Sequence, residues 1–284
     1  METVAIIGVG LIGASFGLAL QKAGFEGEIL GVSSPRSIEA GLKAGAISRG
    51  VSLTDAAERA DLIYLSQPIE GILNTLKDLA PLVRPDCLVT DAGSTKALIV
   101  STAQEHIHAG NFLGGHPMAG KERRGAEAAD CNLFRGRPYV LTPFHDNSAG
   151  NNVRVAQFRS WLERIGARLL EMDPQEHDAT VALSSHLPQL LSTALAATLA
   201  NQNSEHISKV FGPGLLDMTR LALSAPDVWM GVLATNKAAV REALDAFQIT
   251  LTELQSRLQQ DTLLDFFNVA ARFSAQIRNT SYSD

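Results

Sequence analysis

Apolar positions along the chain follow two regimes. Up to residue 172 they come as short runs rich in β-branched residues, which predict strands at 3–7, 28–32, 61–66, 87–90, 112–115, 137–142 and 167–172. Between the first of these runs the apolar residues recur at helical spacing instead. Leu11 and Leu18 flank Ser15 on one stripe, Ile69, Ile72, Leu73 and Leu76 form another, and a further helix is predicted over 153–165. A polar, glycine-containing turn follows most of the strands, the pattern of a mostly parallel, doubly wound α/β sheet with one functional edge. A polar turn is predicted at 147–152.

From residue 173 only helical periodicity remains. Asp173 is a good N-cap, Pro174 suits the first helical position and Glu176 completes a capping box, which sets the boundary between a domain at 1–172 and one at 173–284. The first helix there carries Ala182, Ser185, His186 and Gln189 on one stripe, with Pro188 predicting a kink that frees the Ser184 carbonyl. That stripe is either a ligand wall or a solvated face. A long helix is predicted from Pro226, and along it Val240, Leu244, Phe247, Leu251, Leu254 and Leu258 form a heptad seam that must bury against another helix, in this chain or a second one. Phe266, Phe267, Ala270, Phe273 and Ile277 make a last amphipathic helix, with residues 279–284 frayed.

Against this frame, three stretches carry candidate chemistry. Gly8-Val9-Gly10-Leu11-Ile12-Gly13 lies between the first strand and the first helix, the setting a dinucleotide fingerprint requires. Gly8 permits the tight turn, Gly10 lets a pyrophosphate reach the backbone, Gly13 lets helix and strand pack closely, and the amides of Leu11 and Ile12 open the helix facing the phosphate. The second strand ends in Ser33-Ser34-Pro35-Arg36, without the carboxylate that would accept from a ribose 2′-hydroxyl. Ser33, Ser34 and Arg36 suit a 2′-phosphate, so NADP is expected, with NAD the alternative; the same residues also suit a helix start, with Ser34 as N-cap. Ser66, Gln67 and Pro68 after the third strand, and Asp91 after the fourth, complete the expected cofactor edge. Ser94 is a candidate side chain there, or an N-cap for the next helix.

The third stretch is Gly114-Gly115-His116-Pro117-Met118-Ala119-Gly120, where the fifth strand is expected to run out into a loop. His116 is its one side chain able to exchange a proton near neutral pH, held between glycines that admit something bulky. Arg220, three residues after Asp217, suits an ordinary surface pair.

Composition narrows the class. With 284 residues, 45% hydrophobic and 19% charged, the chain suits two soluble globular domains. A net charge of -6 with no basic block gives no footprint for nucleic acid or an anionic membrane. Cys87 and Cys131 make neither a disulfide framework nor a zinc site, so a reduced, cytoplasmic setting without a metal is expected. The apolar run 4–9 has no basic flank and is cut by glycine, so it is read as neither a signal peptide nor a membrane span.

Taken together, GVGLIG, DAGSTK from Asp91, GGHPMAG from Gly114, SHLP from Ser185, MTR from Met218 and PDVW from Pro226 resemble the prephenate and arogenate dehydrogenase family of tyrosine biosynthesis, in order and over essentially the whole chain. The resemblance implies an N-terminal Rossmann domain, an all-α C-terminal domain that forms a homodimer, and a site in the cleft between them. It implies an oxidoreductase that decarboxylates prephenate to 4-hydroxyphenylpyruvate and CO2 with hydride transfer to NAD(P), or that acts on arogenate, or on both as a cyclohexadienyl dehydrogenase. By the same resemblance His116 is the base, Ser94 orients it and bonds the substrate hydroxyl, and Arg220 binds a substrate carboxylate. His186, Glu122 and Trp229 line or close the pocket, and Gln189 stands where some relatives carry a second histidine. A β-hydroxyacid dehydrogenase, with Lys209 or Lys237 as its lysine, is the more distant alternative, and a redox-sensing dinucleotide module is the non-enzyme one.

Overall fold

The computed structural model describes residues 1–107, 112–143, 153–202 and 205–281. The polar turn expected at 147–152 and the last residues, 282–284, lie outside the described residues.

One sheet organises the N-terminal half. Its eight strands are β1 (Thr3–Ile7), β2 (Glu28–Val32), β3 (Arg49–Gly50), β4 (Leu62–Leu65), β5 (Leu88–Asp91), β6 (Phe112–Pro117), β7 (Pro138–Thr142) and β8 (Arg168–Glu171), in spatial order β3-β2-β1-β4-β5-β6-β7-β8. All neighbours are parallel except β6 and β7. Helices α1 (Leu11–Lys22), α2 (Pro35–Lys43), α3 (Leu53–Arg59), α4 (Ile69–Leu79), α5 (Ala97–His106) and α6 (Val153–Arg164) cover its faces. Residues 4–7 and the whole of β4 and β5 are buried because helices close both sides, which is why these strands are apolar at every position. Strand order reverses between β1 and β4, so the crevice beyond their carboxyl ends is the switch point where such sheets bind ligands. The edge strand β3 was not predicted; two residues, Arg49 and Gly50, offer no apolar alternation to read.

His116 was expected in a loop, yet β6 continues through Pro117. Phe112 and Leu113 pair with β5, after which Gly114 to Pro117 pair antiparallel with β7 instead. The glycines permit this change of partner: a Cβ on Gly115 would stand 2.6 Å from the Asp91 carbonyl oxygen, and one on Gly114 would collide with the Thr142 hydroxyl.

The C-terminal half is helical: α7 (Pro174–Val181), α8 (Leu187–Ala200), α9 (Pro213–Thr219), α10 (Pro226–Thr235), α11 (Lys237–Gln259) and α12 (Leu264–Ser281). Asp173 caps α7, its Oδ1 accepting from Gln175 N at 2.8 Å. Between α7 and α8 lies a π-helical turn, Ala182–His186, immediately before Pro188. The missing proline N–H is absorbed by that wider turn, a frequent device at functional sites. It leaves His186 and Gln189 buried, so the polar stripe faces inward and the solvated-face alternative falls.

The helix expected to run on from Pro226 breaks at Asn236, whose φ of -126° and ψ of 31° end α10 and start α11. Its side-chain amide donates to the Asp178 carbonyl at 2.7 Å, a tertiary bond that periodicity cannot reveal. Of the heptad seam only Val240 is buried; Leu244, Leu251 and Leu258 are exposed, as are Phe267, Phe273 and Ile277 of α12. The helix α12 continues to Ser281, past the start of the expected frayed end at residue 279. Among the described residues no helix is long and apolar enough to cross a membrane.

Candidate active site

The first half of the site is the glycine turn after β1. Gly8 has a φ of +97°, and a Cβ there would lie 2.8 Å from Gln67 N. Gly13 could bear no Cβ either, since it would stand 2.4 Å from both Gly8 O and Ser66 Oγ. Gly10, by contrast, would point a Cβ into open space, at the mouth of α1. A turn that is closed at Gly8 and Gly13 and vacant at Gly10 fits a pyrophosphate lying against the first-turn amides, which have no acceptors within the helix.

The expected cofactor residues after β4 support this turn from below. Ser66 Oγ donates to Gly8 O at 2.8 Å, and Gln67 Oε1 accepts from Thr75 Oγ1 at 2.9 Å, while Pro68 is exposed at the start of α4. Ser33, Ser34 and Arg36 are exposed beyond β2, and Ser34 is the N-cap of α2, accepting from Ser37 N at 3.3 Å. Asp91 departs from its expected place. It is fully buried, accepting from Gly93 N at 2.8 Å and Gly115 N at 3.1 Å and pairing with the buried Lys96 ammonium, so it turns inward and not toward the crevice.

His116 projects from β6 to where the two halves of the chain meet. Its Nδ1 lies 2.8 Å from His177 Nε2, and His177 Nδ1 lies 2.8 Å from Asp178 Oδ1. The Asp178 carboxylate also accepts from Lys96 N at 2.7 Å and Ala97 N at 2.9 Å, capping α5. A carboxylate held by backbone N–H groups has acceptance alone to offer, so His177 donates from Nδ1 and keeps a lone pair on Nε2. His116 must then donate from Nδ1, which leaves the lone pair of its Nε2 as the proton acceptor. Burial, and then the neighbouring His177, Lys96 and His186, hold the His116 pKa well below the usual histidine value.

His177 and Asp178 were not singled out from sequence. They sit in an unremarkable polar run, Gln175 to Asp178, and their full burial on a helix facing β6 is a tertiary fact. Nor does Ser94 cap the next helix: α5 begins at Ala97 and Asp178 caps it from across the domain junction. No hydrogen bond joins Ser94 to the His116 ring among the described residues; the ring is oriented by His177.

The helical half supplies the rest. His186 is buried, with Trp229 edge-on at a 5.9 Å centroid distance and the Asn236 amide nitrogen 3.4 Å from its Nδ1. Burial brings its pKa down to about 4, against the pull of Asp178, so it stands neutral and offers an N–H from Nε2. Gln189 donates to Leu221 O at 2.8 Å, and Ser192 Oγ accepts from Ala222 N at 3.1 Å; the two fix the turn that carries Arg220. Arg220 does not pair with Asp217 among the described residues. It reaches across to Glu122 of the sheet half, 3.6 Å away, both side chains being largely exposed. Arg220, Leu221, Gly120, Lys121 and Glu122 line a cleft of about 810 Å³ just beyond the β6 loop. Among the described residues no group of three or more His, Cys, Asp or Glu side chains is arranged so that it could hold a metal ion.

This arrangement has relatives. The family model described as "Prephenate dehydrogenase, nucleotide-binding domain" matches residues 16–171, and "Prephenate dehydrogenase, dimerization domain" matches residues 173–271. A prephenate dehydrogenase of Lactococcus lactis is 34% identical over 264 residues, covering 91% of this chain and 72% of that protein. The crystal structure of a prephenate dehydrogenase from A. aeolicus, in complex with hydroxyphenyl propionate and NAD+, superposes with a TM-score of 0.89 at 30% identity, over 99% of this chain and 98% of that one. A Synechocystis arogenate dehydrogenase follows with a TM-score of 0.82 at 28% identity, over 98% of this chain and 99% of its own. With a glycine turn of dinucleotide type, a buried histidine at the junction of its two halves and both domain matches in one chain, this protein belongs to the prephenate dehydrogenase family.

Proposed function

We propose that this chain is an NAD(P)-dependent prephenate dehydrogenase, converting prephenate to 4-hydroxyphenylpyruvate and carbon dioxide, with His116 as the base. The observation that carries the reading is the hydrogen-bonded series His116, His177, Asp178, which leaves a lone pair on His116 Nε2. That nitrogen takes the proton of the ring hydroxyl. The imidazolium that forms keeps its Nδ1–H bonded to His177, and the Asp178 carboxylate at the far end stabilises the charge. A bound nicotinamide dinucleotide supplies the hydride acceptor at the carbinol carbon. As that carbon becomes a carbonyl, the ring draws in the electrons of the C–COO⁻ bond, carbon dioxide leaves, the ring becomes aromatic and the phenolate oxygen takes the proton back from the His116 imidazolium. By the family resemblance Ser94 bonds the same hydroxyl, while Arg220 takes a carboxylate of the substrate, a bidentate task for a guanidinium. His186, Trp229 and Glu122 form the remaining wall.

Arogenate is the second reading, favoured by one feature of Gln189. Its amide nitrogen is committed to Leu221 O, and its side-chain oxygen is buried with no hydrogen-bond partner among the described residues. Such an acceptor suits an ammonium and has nothing to offer a keto group. For the cofactor, the absence of a carboxylate at the end of β2, together with Ser33, Ser34 and Arg36 there, supports NADP over NAD. Exposed apolar residues on α11 and α12 support a homodimer through the helical domain, with the boundary between domains at residues 172 and 173. A cytoplasmic location accords with both. A β-hydroxyacid dehydrogenase is disfavoured because Lys209 and Lys237 are exposed, whereas the histidine network is buried.

One assay tests these readings together: absorbance at the reduced nicotinamide band with prephenate and with arogenate, each against NAD and NADP. Turnover of neither substrate with either cofactor would refute the assignment.

A further inference from the structure

Among the described residues Lys96 is the largest charged side chain in the interior, with no exposure at all. A buried ammonium is costly unless paired, and this one is: it pairs with Asp91 and donates to Gly115 O at 2.7 Å. Gly115 N in turn donates to Asp91 Oδ1 at 3.1 Å. Both backbone polar groups of Gly115 are therefore held by two side chains. The backbone explains why. Strand β5 ends at Asp91, and β6 pairs with it at Phe112 and Leu113 alone, so the stretch carrying His116 has β7 on one side and no strand on the other. The Asp91–Lys96 pair stands in for the missing strand, directly before His116. The backbone N–H of Lys96 meanwhile donates to Asp178 Oδ1 at 2.7 Å, at the opposite end of the series.

We infer that Lys96 is a positioning residue for the proposed base, its ammonium fixing the Gly115 peptide and its amide fixing Asp178, so that one residue sets the spacing of His116 and His177 from both ends. Lys96 touches no reacting atom in this scheme and acts through His116. The inference rests on His116 serving as the base.

The test compares wild type with Lys96→Met and with the double variant Asp91→Asn/Lys96→Met, which removes the charge pair as a unit and leaves no unpaired carboxylate behind. Thermal unfolding and dinucleotide titration establish that each is folded and binds cofactor. In the folded variants kcat is expected to fall about 10²-fold, the scale of an ångström-sized misplacement, with KM for prephenate within about threefold of wild type. The acid limb of the kcat–pH profile is expected to move to higher pH, because the cation that opposes protonation of His116 is gone. A structural role alone would lower the unfolding temperature and leave the limb in place. Wild-type kcat and an unmoved acid limb in the folded double variant would overturn the inference. Failure of wild type itself to turn over either substrate would instead remove the proposed function.

Discussion

His177 Nε2 lies 2.8 Å from His116 Nδ1, joining a helix of the C-terminal half to a strand of the N-terminal sheet through two buried rings. The rings stand at 70° to each other with centroids 5.1 Å apart, so the contact is a directed hydrogen bond and not a stack. What His116 would do as the proposed base depends on which nitrogen carries the proton, and Asp178 decides that at one remove.

Asp178→Asn is the direct check. The amide can turn its NH2 toward His177, which reverses both tautomers and places a proton on His116 Nε2. Reversing the tautomer of a comparable histidine base costs about 10⁴-fold in kcat. We expect a loss of that order with KM little changed, and a drop of about 1 kcal/mol in stability as the α5 cap weakens. Steady-state kinetics beside thermal unfolding separates the two, and near-normal kcat would rule out the relay.

Arg220→Ala is expected to act on binding. Loss of a charge-assisted pair of about 1.5–3 kcal/mol raises KM roughly ten- to hundredfold with kcat nearly kept. Arg220→Lys should recover little, since an ammonium cannot present the bidentate fork. A lysine variant with wild-type KM would show that charge alone suffices.

The pH dependence has a definite sign. Because the folded-state pKa of His116 is depressed, the acid limb of kcat is expected below pH 6.5. Stability follows the same logic through His186, whose pKa falls from the ordinary 6.5 to about 4 on folding. Between those values the unfolded chain binds the extra proton, so stability falls as pH drops through that window and is level above it. Unfolding temperatures from pH 7 to pH 4 measure this, and His186→Gln should flatten the slope.

In the glycine turn, two substitutions should part company. Gly10→Ala places its methyl in open space, so the protein folds normally and dinucleotide affinity falls by about tenfold or more. Gly13→Ala drives a methyl into Gly8 O and Ser66 Oγ at 2.4 Å, at a stability cost of about 1–3 kcal/mol. Fluorescence titration of the cofactor and thermal unfolding distinguish the two effects.

The exposed apolar residues of α11 and α12 give a prediction for assembly. Leu251→Glu together with Phe267→Glu should yield a monomer in sedimentation velocity, where the wild type is expected to sediment as a dimer. A wild type that sediments as a monomer would remove that part of the proposal.

The order of the strands other than β3, and the glycine turn between the first strand and the first helix, were legible from the residues alone, because apolar period, glycine spacing and turn chemistry are local properties of a sequence. The all-helical second half was equally plain, since strand patterning stops at residue 172. What neighbours do to one another was not. The break at Asn236 is made by a bond to Asp178, the inward turn of Asp91 by Lys96 and Gly115, and the partner of Arg220 by Glu122 on the other half of the chain. His177 and Asp178 gave no signal at all, because a polar residue in a helix carries no mark of what it will face. Local chemistry is written in spacing, whereas the protonation state of a base is set by groups that meet only when two separately patterned halves pack together.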